Sequence, residues 1–336
     1  MSNSKNQLQQ FDFTPPLSDS SYPFTKINDL NKVNYFYSLG LQGLNQMLSG
    51  GIRRGQAMGI ESLHRRFKSG ICDMILTQVP IFNTPMKTPV EAAEESKPMI
   101  LKISFDDSIE DSVKSIYRTL KAVDKVYPTP KDIEKFSFKK IATFVNDKVT
   151  ATGFHIRMLK MHPSQCDYES ITQEIEQLES EGYTVHILIV DHLFSKNTSV
   201  GSQDYEGREK LNLVRSIRNY CHLSDIALIS PFNLSTEAAK LLKSGIPEHD
   251  FVNAVAGKNY TAHCQRLDQA LDLVLYTHLF KDKGTMYVAF RRGKHRVSQT
   301  LKDSEKFCMY SFTTPSSVLL PDVNGESTAL NQLPLN

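Results

Sequence analysis

An α/β fold, with a mainly parallel central sheet and helices on both faces, is predicted by three features of the chain. Apolar runs of strand length alternate with helix-periodic stretches from Tyr37 onward, the pattern of βα units. One run, Thr184-Val185-His186-Ile187-Leu188-Ile189-Val190-Asp191, is continuous enough to lie buried on both sides, as at the centre of a parallel sheet. Acidic residues close two of these runs, Asp106 after Ile103-Ser104-Phe105 and Asp191 after Ile189-Val190. The carboxyl ends of strands are where such sheets gather ligand-binding groups.

Residues 1–36 are polar and rich in Ser, Asn and Gln, and read as a flexible arm. Its aromatic residues (Phe11, Phe13, Tyr22, Phe24) suit docking on a neighbouring subunit, with a disordered tail as the alternative. Residues 37–314 form the main domain. Gln56 to Glu61 is a short strand after the turn Gly50-Gly51-Ile52-Arg53-Arg54-Gly55, and a helix follows from Lys68 to about Val79. Pro80 to Pro98 reads as a loop and Met99 to Phe105 as a strand. Asp107 or Ser108 caps a helix reaching about Val123. Pro128 to Val149 is basic and predicts an irregular insertion with one short helix. Gly153 to Met158 is a strand and Tyr168 to Gly182 an acidic amphipathic helix. After the Thr184–Asp191 strand come a loop (Phe194 to Gln203), a long helix (Tyr205 to Leu223) and a buried strand (Ile226 to Ser230). Leu271 to Thr277 and Thr285 to Phe290 form a closing hairpin across Lys281-Asp282-Lys283-Gly284. Residues 315–336 read as a tail.

The 336 residues suit one large domain with appendages, or two domains. A net charge of +2 excludes an overall basic protein but permits a local basic channel. The five cysteines are odd in number and lack any Cys-x-x-Cys, against a zinc ribbon or disulfide scaffold and in keeping with a reducing compartment. No signal peptide is read at the start and no apolar run approaches the roughly 20 residues that span a bilayer. A soluble, intracellular protein without a membrane role is expected.

The segment Ser62-Leu63-His64-Arg65-Arg66-Phe67-Lys68-Ser69-Gly70 reads as a P-loop that has kept its Lys-Ser and lost its glycines: Ser62 stands at the first and Phe67 at the second. Lys68 would reach the β- and γ-phosphates and Ser69 would hold Mg²⁺, at a helix N-terminus that attracts anions. Phe67 enters the left-handed region only at about 1–2 kcal/mol, so the loop is expected to take another path or to be vestigial. His64, Arg65 and Arg66 would supply side-chain charge where backbone donors are lost. A Lys-Ser pair at an ordinary helix start is the alternative. Asp191 suits a Mg²⁺-binding carboxylate, or a plain helix cap. Asp106, with Asp107 beside it, suits orientation of an attacking water, or again a cap. Asn233, just past a strand end, suits a γ-phosphate sensor or a turn. Arg291-Arg292-Gly293-Lys294-His295-Arg296 suits an arginine finger, phosphate-backbone contact or a solvated hairpin end.

In this order the pieces resemble the RecA-like motor domain of DnaB-type hexameric replicative helicases, most of all the divergent versions of large bacteriophages. The resemblance covers roughly Tyr37 to Arg296. It rests on Leu39-Gly40 with Leu44-Asn45, the turn through Gly55, Ile103-Ser104-Phe105-Asp106, Ile187 to Leu193, Ile229-Ser230-Pro231-Phe232-Asn233 and Lys294-His295-Arg296. Departures fall on the chemistry: the loop glycines are missing, Asp106 stands for a Glu and Asn233 for a Gln. The resemblance implies a RecA-like P-loop NTPase fold and an ATP-dependent DNA helicase working as a ring, a hexamer, on single-stranded DNA. ATP and Mg²⁺ would sit between subunits, Asp106 activating water and Lys294 and Arg296 arriving from the next subunit. Lys196, Lys240, Lys243 and Lys258 would line the channel, and a primase or loader is the implied partner. A RecA-like filament on single-stranded DNA for recombination or repair, and an inactive paralogue with a structural or loader role, are the rival readings.

Overall fold

Strand β3 (Ala57–Ser62) is buried at every position and is paired in parallel on both edges, by β7 (Ala227–Asn233) and β8 (Leu273–Asp282). It is the middle of the sheet, and its C-terminal end delivers the loop to the helix that begins at Lys68. The computed structural model describes residues 36–105, 108–193, 203–264, 266–296, 301–312 and 318–334, all within one unit, Phe36–Asn336. Residues 1–35 of the predicted arm, Asp106, Asp107 and most of the segment containing Lys196 lie outside the described residues.

Strands β1 (Phe36–Tyr37) and β2 (Ile52–Arg53) form a small antiparallel pair around α1 (Gln42–Met47). After β3 come α2 (Lys68–Phe82), α3 (Pro89–Ala93), β4 (Lys97–Ser104), α4 (Ile109–Val123), α5 (Pro130–Glu134), α6 (Phe138–Thr150) and β5 (His155–Lys160). Then follow α7 (Tyr168–Ser180), β6 (Tyr183–Asp191), α8 (Gln203–Leu223), β7, α9 (Thr236–Lys243), α10 (Phe251–Val255), β8, β9 (Thr285–His295) and β10 (Phe307–Ser311). The main sheet has eight strands in the order β10-β9-β8-β3-β7-β6-β4-β5. From β8 to β5 every pairing is parallel, and β8, β9 and β10 close the sheet antiparallel, as the predicted hairpin requires. Because the chain leaves β3, skips two positions to β4 and returns through β6 and β7, the carboxyl ends of β3, β7, β6 and β4 stand side by side, the end at which sheets of this kind form their ligand crevice.

Each face of the sheet carries its own apolar cluster. Ile71, Ile75 and Val79 of α2, Val113, Ile116 and Leu120 of α4, and Ile141, Val145 and Val149 of α6 share one cluster; Ile171 and Ile175 of α7, Val214 and Ile217 of α8, and Phe251 and Val252 of α10 belong to the other. Four expectations are corrected. Helix α2 runs through Pro80 to Phe82: proline gives up one backbone hydrogen bond and crowds the carbonyl four residues before it, a cost set against the burial of Val79 and Pro80 in the core. The expected loop after it contains α3, started by a reciprocal cap in which Glu91 N donates to Thr88 Oγ1 (3.2 Å) and Thr88 N to Glu91 Oε2 (2.7 Å). The basic insertion is two capped helices, the 13-residue α6 among them; its lysines sit around an apolar stripe four residues apart. Segment 318–334, read as a tail, lies along the main body: Val318 and Leu319 are buried and Leu330 bridges Met309.

Near the amino ends of the parallel strands, Arg54 is buried and ties three elements together. Its guanidinium meets Glu91 of α3 at 2.6 Å, His186 of β6 at 3.1 Å and Asp225 at 3.1 Å, and donates to the Met86 carbonyl at 3.0 Å. The opposite end of the sheet, where those strands finish, is the crevice.

Candidate nucleotide site

The loop between β3 and α2 follows left-handed backbone without glycine. Arg65 has φ 58° and Phe67, the residue before the helix, has φ 71° and ψ 22°. The expectation that Phe67 would force another path is therefore overturned. Its ring meets Phe312 edge-on, centroids 4.8 Å apart, an arrangement worth about 0.5–1.5 kcal/mol, of the order of the backbone cost. Gly70 makes room for it, since a Cβ there would lie 2.1 Å from Phe67 Cε2. Ser62 Oγ closes the turn by donating to the Arg66 carbonyl at 3.4 Å.

Lys68 opens α2, and its ammonium curls back over the loop, donating to the Leu63 carbonyl at 2.8 Å and the Ser62 carbonyl at 3.5 Å. Burial pushes it down to about 8, against the attraction of Asp191. Asp191 is thus one of the charges acting on the Lys68 ammonium. Ser69 is the next residue of the helix. Asp191 closes β6, is 4% exposed and lies opposite Ser104, the last residue of β4.

The other predicted residues divide. Asn233 is the last residue of β7 rather than beyond it, opposite Ser62, and its Oδ1 is buried with no hydrogen-bond partner among the described residues. An acceptor left open beside the loop is what an amide reading a ligand would show. Arg66 is turned away from the loop, donating to the Leu279 carbonyl at 2.7 Å with Glu248 at 3.7 Å; His64 and Arg65 are exposed. Lys294 donates to the Asp268 carbonyl at 2.6 Å and Arg296 to the Gln269 carbonyl at 2.8 Å, with Asp272 at 3.4 Å, so both are held by their own subunit. Arg291 pairs with Asp303 and Arg292 is buried against the Met47 carbonyl. Lys240 and Lys243 are exposed in the last turn of α9, and Lys258 is exposed after α10.

Sequence reasoning missed two groups. Lys102, in the middle of β4, is buried between Asp73 of α2 (2.8 Å), Ser112 of α4 (3.0 Å) and Asp191 (3.9 Å). The available signal was one lysine in an apolar strand and one aspartate on an apolar helix, for buried charges come paired. The second is Glu61, in β3 just before Ser62. Its Oε1 accepts from Thr261 Oγ1 at 2.9 Å while Oε2 is buried with no hydrogen-bond partner among the described residues. Burial raises its carboxyl from 4.5 to about 7, against the Thr261 hydrogen bond and the charge of Lys210. A raised folded value means that stability is fully present below pH 4.5 and is lost as pH rises through about 7. Glu61→Gln keeps an acceptor for Thr261 and removes that loss. Unfolding free energies from urea titrations at pH 5 and pH 8 are expected to diverge in its favour at the higher pH by on the order of 2 kcal/mol. An equal difference at both pH values would mean that Glu61 does not titrate between them.

The donor set fits a nucleotide-bound divalent ion. Mg²⁺ takes one or two protein ligands and completes its shell with phosphate and water, and a hydroxyl at a helix start with a carboxylate at a strand end are such a pair. Among the described residues no group of three or more His, Cys, Asp or Glu side chains could hold a metal by itself. No helix of the described residues is long and apolar enough to cross a membrane.

Two solved structures share this architecture. One is described as the ATPase domain of G40P, with TM-score 0.58, 11% identity, and 88% of this chain and 96% of that chain covered. The other is a DnaB-like replicative helicase described with its interactions with primase, with TM-score 0.58, 11% identity, and 91% of this chain and 68% of that chain covered. At this identity the likeness establishes the fold alone, a RecA-like α/β domain with a mainly parallel central sheet. A search of curated proteins gives no match. The family described as divergent DnaB-like ATPase matches residues 10–335, nearly the whole chain, and the chain belongs to that family.

Proposed function

We propose that this chain is an ATP-driven DNA helicase or translocase that works as a ring in DNA replication, with ATP at subunit boundaries. The observation that carries the reading is the placement of Lys68: an ammonium at the head of α2, on a loop held in left-handed backbone, within the field of Asp191 at the end of a central strand. Lys68 and the backbone N–H groups at the start of α2 bind the β- and γ-phosphates. Mg²⁺, held by Ser69 and Asp191, would neutralise phosphate charge there. Asn233 senses the γ-phosphate through its open amide, and Asp106 is the acid that orients water. Lys294 and Arg296 lie on a segment that a neighbouring subunit's nucleotide reaches once they exchange their own carbonyl partners for phosphate. Lys240, Lys243 and Lys258 supply exposed charge for the backbone of single-stranded DNA, with Lys196 in the loop after β6. A hexamer, and a primase or loader as partner, complete the reading; a bacteriophage replication setting and the interior of a host cell fit it.

The expected result is ATP turnover by the full chain that rises when single-stranded DNA is added and falls with salt as phosphate contacts are screened. Turnover indifferent to DNA at every salt concentration would refute a translocase. The grip of Lys294 and Arg296 on their own subunit favours a second reading, a subunit that binds nucleotide and hydrolyses it little. Tight binding of an ATP analogue with no turnover, with or without DNA, would select it. Open filaments on single-stranded DNA, seen by electron microscopy in place of closed rings, would select a RecA-like recombination role.

A further inference from the structure

Lys102 is the charged residue that the site, as described, does not use. It is 2% exposed, in a strand whose neighbouring positions are apolar. Its Nζ donates to Asp73 Oδ1 at 2.8 Å and to Ser112 Oγ at 3.0 Å, and stands 3.9 Å from Asp191 Oδ2. Asp73 is four residues after Ser69, one turn deeper on the same face of α2. The ammonium thus lies beneath the nucleotide crevice, bridging the helix that bears Ser69 and the strand that ends in Asp191. Two carboxylates and a hydroxyl surround the ammonium, the partners a buried cation requires. Arg118 of α4 adds a second positive group within the field of Asp73. Lys68 curls over the loop, whereas Lys102 is buried beneath it, 2% exposed.

We propose that Lys102 is a resident cation of the nucleotide site that competes with Mg²⁺ for Asp191, so that this chain binds nucleotide with weak dependence on Mg²⁺. The inference rests on the nucleotide reading above. A fixed positive charge beside a carboxylate oxygen in a poorly screened interior raises the cost of placing a divalent ion on the same carboxylate. Asp73 tempers the effect, being the nearer partner. The two partners of Lys102 and Asp73 should therefore act in opposite directions. Removing the ammonium leaves two carboxylates facing the ion, while removing the Asp73 charge leaves the whole ammonium to Asp191.

The test uses the full chain and a fluorescent ATP analogue, titrated in EDTA and at stepped MgCl2 concentrations. Lys102→Met is expected to lower the Mg²⁺ concentration that half-saturates binding by about tenfold or more, the scale of one poorly screened charge at close range. Asp73→Asn, which keeps an oxygen for Nζ, is expected to raise it. A merely structural salt bridge would shift both variants the same way, or neither, and either result overturns the inference. Should Lys102→Met fail to fold, Asp73→Asn decides alone: a rise in the Mg²⁺ requirement supports the proposal and an unchanged or lower one overturns it. Failure of the unsubstituted protein to bind the analogue at any Mg²⁺ concentration would refute the nucleotide reading and this inference with it; binding with unshifted Mg²⁺ dependence refutes the inference alone.

Discussion

Lys68→Ala is expected to remove nucleotide binding at concentrations that half-saturate the unsubstituted protein, and to abolish ATP turnover. A hydrogen bond to a charged group contributes about 1.5–3 kcal/mol, so loss of the ammonium weakens binding by roughly tenfold to a hundredfold. Turnover falls further, since charge that develops on the transferring phosphate has lost its nearest donor, worth about 10²–10³ in rate for comparable sites. Stability should move the other way. The Lys68 ammonium is held below its ordinary value by burial, and Asp191 compensates only in part. A charge kept in the folded state against that penalty costs stability, as functional groups commonly do. The variant should therefore show an unchanged or slightly raised Tm together with lost binding, separating a functional defect from unfolding. Lys68→Arg tests the shape of the pocket. The ammonium fits between the Ser62 and Leu63 carbonyls, and a planar fork on a longer stem does not reproduce that contact. Nucleotide affinity surviving Lys68→Ala would mean that the polyphosphate binds elsewhere.

The skeleton of the site was legible because its signals are local. A continuous apolar run ending in Asp191, and Lys68-Ser69 following a short strand, each depend on residues adjacent in sequence, and the parallel sheet brings their ends together. What the sequence concealed depends on partners far along the chain. Phe67 is tolerated in left-handed backbone because Phe312, 245 residues later, and the vacant side of Gly70 receive its ring; local propensity sees only the penalty. Lys102 reads as an ordinary interruption in β4 until Asp73 and Asp191 are seen to converge on it. Lysines on α6 disguised an apolar stripe as part of a basic, irregular insertion with one short helix, because charged stems can flank a buried seam without entering it. The grip of Lys294 and Arg296 on the Asp268 and Gln269 carbonyls was equally invisible, as nothing in Lys-His-Arg specifies a backbone partner.

Arg54→Met is expected to be the most destabilising single change discussed, by about 3–5 kcal/mol, the cost of leaving a buried charge without its partner. Burial works against the Glu91 carboxylate, yet hydrogen bonds from His186 and Arg54 hold it well below the usual carboxylate range. Its dependence on the guanidinium is close, with contacts at 2.6 Å and 3.2 Å. Asp225 is half-exposed and can turn to water, so the penalty falls chiefly on Glu91 and on the Met86 carbonyl. His186 does not replace the lost charge, because burial keeps its imidazole below its ordinary value and so neutral, with Tyr37 Oη at 2.6 Å from Nδ1. Against a total stability of roughly 5–15 kcal/mol for a typical domain, the single variant should lose a large part of its urea midpoint. Arg54→Met combined with Glu91→Leu removes both charges and should recover most of the loss, since an apolar replacement of a buried pair is often neutral. Below the melting transition, nucleotide affinity should be unchanged in both variants: the cluster lies at the amino ends of the strands and the crevice at their carboxyl ends. A double variant no more stable than Arg54→Met would show that the carbonyl contacts, not the ion pair, carry the energy of this cluster.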